Sequence, residues 1–102
     1  MNVNFKKKIM WLNGIPAKDI NSKGDAWFNE TVCQMLYGAE QGCTQEEKYR
    51  AYRIMQRIER DPEHVELSHE DAVLVKRITG EKLTAGAYGQ LVDMLEGKGG
   101  EA

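Results

Sequence analysis

The sequence predicts an α+β fold: an N-terminal β-hairpin packed with about four α-helices, with residues 65–67 as a short third strand or an extended linker. Three observations lead there. An Asn13-Gly14 pair divides an apolar, lysine-rich run from a second apolar stretch, which is the pattern of a hairpin. Two capping boxes, Thr44 with Glu47 and Ser68 with Asp71, announce helix starts. Apolar residues then recur at helical spacing through the rest of the chain.

The elements follow in order. The hairpin spans roughly residues 3–19. Asn-Gly tolerates φ > 0 at both positions, as a type I′ turn requires. Phe5, Ile9 and Trp11 share odd parity and so one face. Ile15, Ala17 and Ile20 form the return strand, which Pro16 confines to an edge or a short length. A loop occupies residues 21–24. Asp25 is the expected cap of a helix reaching about Ala39. Phe28, Val32, Met35, Leu36 and Ala39 form its apolar face, widened by Trp27, Cys33 and Tyr37. The second helix, 44–60, opens on the Thr44 box and ends near Pro62. Its apolar face is Ala51, Tyr52, Met55 and Ile58, with Tyr49 and Ile54 at the margins.

Val65, Glu66 and Leu67 alternate as a strand does. Ser68 caps a third helix with Ala72, Val75 and Ile78 on one face and Val73 and Leu74 beside it. Gly80 suits a left-handed residue past its end. Thr84 caps a fourth helix carrying Tyr88, Leu91, Val92 and Leu95, and Gly97 ends it. Gly86 and Gly89 inside that helix each cost about 1 kcal/mol relative to Ala. With Ala85 and Ala87 they make a small-residue patch suited to close approach of another backbone. Residues 1–97 read as one domain and 98–102 as a flexible tail.

Composition excludes several function classes. With 14 basic and 16 acidic residues the net charge is −2, against the excess of Lys and Arg that nucleic-acid binders carry. No apolar run has the length of a secretory h-region or of the roughly 20 residues that span a membrane. No membrane is therefore expected among the partners, and a cytoplasmic protein is. Cys33 and Cys43 are too few for a disulfide framework and are read as free thiols, Cys33 on the helix and Cys43 in the following loop. With His64 and His69 they fit no zinc spacing. There is no phosphate loop and no nucleophile beside an oriented base. Accordingly no catalytic residue, no metal, no cofactor and no enzyme activity are expected.

What remains is charge pattern. Arg50, Arg53, Arg57 and Arg60 recur at steps of three, four and three, so they lie on one stripe of the second helix. A row of guanidinium forks suits carboxylates or phosphates, provided the arginines are free of strong internal pairing. The competing reading is a solvated face on which Glu46 pairs with Arg50 and Arg57 with Asp61, each pair contributing about 0.2–0.5 kcal/mol. Lys6, Lys7 and Lys8 form a second basic run. Trp11 and Trp27 beside it suit stacking on bases or, as expected of a small core, packing. The candidate partner-binding residues are these four arginines and three lysines. A protein partner is expected. The alternative is a small nucleic-acid-binding regulator using the basic face of helix 44–60, although the 61–67 connection is longer than a helix-turn-helix turn.

The run Leu12-Asn13-Gly14-Ile15-Pro16, and Leu67-Ser68-His69-Glu70-Asp71 leading to Tyr88-Gly89-Gln90-Leu91, resemble in style small phage- or prophage-encoded proteins. The resemblance covers residues 65–97, about a third of the chain. It implies a small accessory, assembly or host-interaction protein.

Overall fold

Residues 1–18 and 24–97 are described by a computed structural model, and over them the order is β1 (Asn2–Val3), α1 (Phe28–Tyr37), α2 (Gln45–Arg60), β2 (Val65–Glu66), α3 (His69–Gly80) and α4 (Ala85–Leu95). The expected strand end at Ile20, the loop at 21–23 and the tail at 98–102 lie outside the described residues. The α+β class holds: short antiparallel pairings at the N-terminus, then four helices.

Both capping boxes form as read. The Thr44 hydroxyl accepts from Glu47 N–H at 3.1 Å and the Glu47 carboxylate from Thr44 N–H at 3.0 Å. The Ser68 hydroxyl accepts from Asp71 N–H at 3.1 Å and the Asp71 carboxylate from Ser68 N–H at 3.0 Å. Each box satisfies two donors that a helix start leaves unpaired. Thr84 stands at the cap of α4 without a side-chain bond.

The N-terminal pairing is more than a hairpin. β1 runs antiparallel to β2 with Val3 opposite Val65, so residues 65–67 do supply a strand, paired to the chain ahead of the hairpin. Leu67 N–H donates to the Met1 carbonyl at 2.8 Å and Phe5 N–H to the Pro62 carbonyl at 2.7 Å. The hairpin itself pairs Met10 with Pro16. Its turn is not type I′, because Gly14 has φ +85° while Asn13 is not positive. Gly14 N–H donates to the Trp11 carbonyl and Trp11 N–H to the Ile15 carbonyl, which makes a three-residue loop with its left-handed residue last. The Asn13 side chain accepts from Ile15 N–H at 3.1 Å, the local bond that suits Asn to turns.

Residues 25–27 are extended, not helical. Ile9 N–H donates to Ala26, Ala26 N–H to Ala17, and Ala17 N–H back to Ile9, at 2.8–2.9 Å. Three segments thus close a ring of backbone bonds, each paired with the other two. Asp25 is therefore not the cap of α1. Its carboxylate meets Lys8 at 2.9 Å and Lys18 at 2.7 Å, one from each hairpin strand, and Trp27 takes the cap position.

One hydrophobic cluster joins the parts. Val3, Phe5 and Ile9 meet Phe28, Val32 and Leu36 of α1, Ala51, Ile54 and Ile58 of α2, Val75 of α3, and Leu91 and Leu95 of α4. α1 packs on α2 and α3, α2 on α3, and α4 on α3. The buried stripe of α2 runs 51-54-58, so Ile54 is central, whereas Tyr52 and Tyr49 face outward. Trp11 and Tyr37, expected on buried faces, are 65% and 82% exposed: Trp11 stands at the hairpin tip, and Tyr37 lies off the buried 28-32-36 stripe of α1. Gly80 is the last residue of α3 and has no positive φ. It serves close approach instead: a Cβ there would lie 3.2 Å from the Tyr88 ring. Gly86 and Gly89 face open space among the described residues, so the small-residue patch has no backbone against it.

Candidate functional site

Rotation of α2 about its Ile54 stripe sets its two flanks. Arg50 and Arg57, seven residues apart, fall on the flank beside the start of α3. Each donates through Nη1 at 3.0 Å to one oxygen of Asp71, Arg50 to Oδ1 and Arg57 to Oδ2. Arg57 Nη1 also donates to the Glu66 carbonyl at 2.8 Å, tying α2 to β2. The Asp71 side chain is 5% exposed. Its burial pushes the carboxyl pKa up, but the Ser68 N–H, Arg57 and Arg50 together outweigh that and hold it below the ordinary value.

The four arginines are thus not one equivalent stripe. Arg50 and Arg57 take Asp71 rather than Glu46 and Asp61, which corrects both expected helix pairs. The reason is that a carboxylate withdrawn from water gains more from two guanidinium donors than an exposed one does. Arg53 and Arg60 are exposed and have no ion-pair partner among the described residues. They keep the free guanidinium groups that recognition needs.

The lysine run divides similarly. Lys6 and Lys8, two residues apart on extended backbone, project to the same side. Their ammonium groups lie 4.9 Å and 5.3 Å from the Trp27 ring centroid, within cation–π range. Lys8 is held by Asp25 as well, whose carboxyl Lys18 and then Lys8 keep below its ordinary value. Lys7 is exposed. Trp27 therefore lies under two internal cations, and Trp11 stands free at the hairpin tip. Among the described residues no ion pair links this lysine group to the arginines.

An open groove not expected from the sequence lies between α1 and α2, a cavity of about 1050 Å³. Cys33, Gln34, Tyr37, Tyr52, Met55 and Gln56 line it, together with the charged Glu30, Glu59 and Arg60. The signal was present in the surplus of apolar residues on both helices, more than one core face each can bury. Burial, with Glu59 nearby, pushes the Cys33 thiol pKa up to about 11, as suits a packed, unreactive cysteine.

Cys43 lies at the entrance to α2, where Arg77 Nη2 is 3.9 Å from its sulfur and 2.8 Å from Glu47. Exposed His64 rests on Asp61. Among the described residues no cluster of three or more His, Cys, Asp and Glu is placed to hold a metal ion. No described helix is long and apolar enough to cross a membrane. No family model, curated protein or solved structure matches the chain.

Proposed function

We propose that this chain is a small non-enzymatic binding protein of the cytoplasm that acts through protein–protein contacts. Its resemblance to small phage- and prophage-encoded proteins suggests an accessory, assembly or host-interaction role. The observation that carries the reading is the α1–α2 groove, where Tyr37 (82% exposed) and Tyr52 (50% exposed) stand beside Met55, uncovered among the described residues. Tyrosine and methionine are enriched where partners dock, and a concave apolar floor with polar edges fits the side chains of a partner helix or loop. Arg60, which lines the groove, and Arg53, two turns before it on the same face of α2, supply charged contacts for the rim.

The alternative, a nucleic-acid regulator using the basic face of α2, has two of its four arginines engaged by Asp71. Capture from host lysate, with and without nuclease, separates the readings. A protein partner retained after nuclease, and lost from a Tyr52→Ser/Met55→Gln variant, supports the groove. Nuclease-sensitive capture, lost from Arg53→Gln/Arg60→Gln with the groove variant unaffected, supports the alternative.

A further inference from the structure

The tip of the hairpin is apolar and stands in solvent. Leu12 is fully exposed, and Trp11 and Ile15 are 65% and 58% exposed. Among the described residues nothing beyond its chain neighbours lies within 4 Å of the space a side chain on Gly14 would occupy, so none of them covers the turn. Such a tip would ordinarily fold back onto apolar surface. Here it is held out. One residue before Trp11, both backbone groups of Met10 are gripped by the Gln90 side chain of α4: Met10 N–H donates to its Oε1 at 3.0 Å, and its Nε2 donates to the Met10 carbonyl at 2.7 Å. Behind that clamp the ring of bonds through Ile9, Ala17 and Ala26 fixes the base.

Charge is placed to match. Residues 3–19 contain four lysines and one acidic residue, Asp19, in a chain whose net charge is −2. Lys8 and Lys18 share a single carboxylate, Asp25, and Lys7 is exposed, so the hairpin keeps a net positive charge. Lys8 lies four residues behind Leu12, roughly 13 Å along an extended strand. Interfacial segments bury their apolar residues about 5–10 Å into the headgroup and acyl boundary. Lysines at that setback reach the headgroups while Trp11, Leu12 and Ile15 enter below them. Tryptophan suits that boundary, and lysine is drawn to anionic lipid.

We propose that the hairpin tip is a peripheral anchor for an anionic lipid surface. A lipid bilayer is favoured over a protein pocket because the tip is convex and splays three unlike side chains, which a deformable apolar medium accepts without a matching shape. The sequence-based expectation of no membrane partner rested on the lack of a spanning segment, and an anchor needs none. This proposal stands apart from the α1–α2 groove.

The test is flotation with phosphatidylcholine vesicles, with and without phosphatidylglycerol. The chain should float with the phosphatidylglycerol vesicles and lose them as salt rises. Its tryptophan emission should shift to the blue and be quenched by brominated acyl chains. Trp11→Phe should abolish the shift. Leu12→Ser/Ile15→Ser, at exposed positions, should keep the circular dichroism spectrum and weaken vesicle binding at least tenfold. Three results overturn the proposal: no flotation at low salt, flotation unchanged in the tip variant, or an emission shift that persists in Trp11→Phe. A wild type that ignores vesicles but needs the tip to capture a protein also overturns it, making the tip a protein contact.

Discussion

Asp71→Ala tests the arginine clamp most directly. The carboxylate accepts three bonds at 3.0 Å, from Arg50, Arg57 and the Ser68 N–H. Removing one partner of a fully buried ion pair costs about 3–5 kcal/mol, because a charge is left uncompensated. Here the stranded groups are guanidinium side chains that are 44% and 35% exposed, so water recovers part of that loss. The capping box loses its return bond as well, worth up to about 1 kcal/mol. The expected destabilisation is about 2–3 kcal/mol, read as a lower urea midpoint with an unchanged slope.

Asp71→Asn keeps the shape and one acceptor and should cost about 1–2 kcal/mol. Arg53→Gln, with no partner to lose, should stay within about 0.5 kcal/mol of wild type. The pH dependence has a definite sign. The folded carboxyl is held below its unfolded value of about 3.9, so its contribution is complete above that value. It disappears as pH falls through the lower, folded pKa, and wild type and Asp71→Asn should then converge. An Asp71→Ala variant within 0.5 kcal/mol of wild type at neutral pH, by the same urea titration, would refute the clamp.

Three more outcomes are expected. Gln90→Ala frees both backbone groups of Met10 and should cost about 1–2 kcal/mol, lowering Tm by roughly 5–15 °C in a thermal melt. Gly86→Ala and Gly89→Ala, both helical with open space at the Cβ, should each stabilise by about 0.5–1 kcal/mol in urea titrations. Native thiol titration at pH 8 should find Cys43 fast and Cys33 slow, since a thiol pKa of about 11 leaves roughly a thousandth of it as thiolate. Equal rates would mean that the Cys33 wall of the groove opens in solution.

What the chain discloses about itself follows the range of the interactions. α2 and α3 were readable because their boxes close within three residues. The strand at Val65 and the Asn-Gly reversal were readable from local pattern. Asp25 was misread for the same reason: Asp before an apolar period is a cap signal, and only lysines from two other strands reveal its real partners. The Ile54 stripe was placed at a margin because 51-54-58 and 51-55-58 are both helical periods, and only the packing of α1 and α3 selects between them. The arginines show the limit most clearly. Their spacing was visible, but the carboxylate that takes two of them is 14 and 21 residues away, beyond any local rule. The groove, likewise, exists only where two helices separated by a loop diverge.

The Gln90 clamp has a consequence for how the chain is made. Met10 leaves the ribosome 80 residues before the side chain that will hold it. At about 5–20 residues per second, the apolar hairpin waits roughly 4–16 s during synthesis for its last fastening. Through that interval Ile9, Met10, Trp11, Leu12 and Ile15 are open to other nascent chains. The lysines at 6, 7, 8 and 18 flank this stretch on both sides, where like-charge repulsion keeps unfinished copies apart.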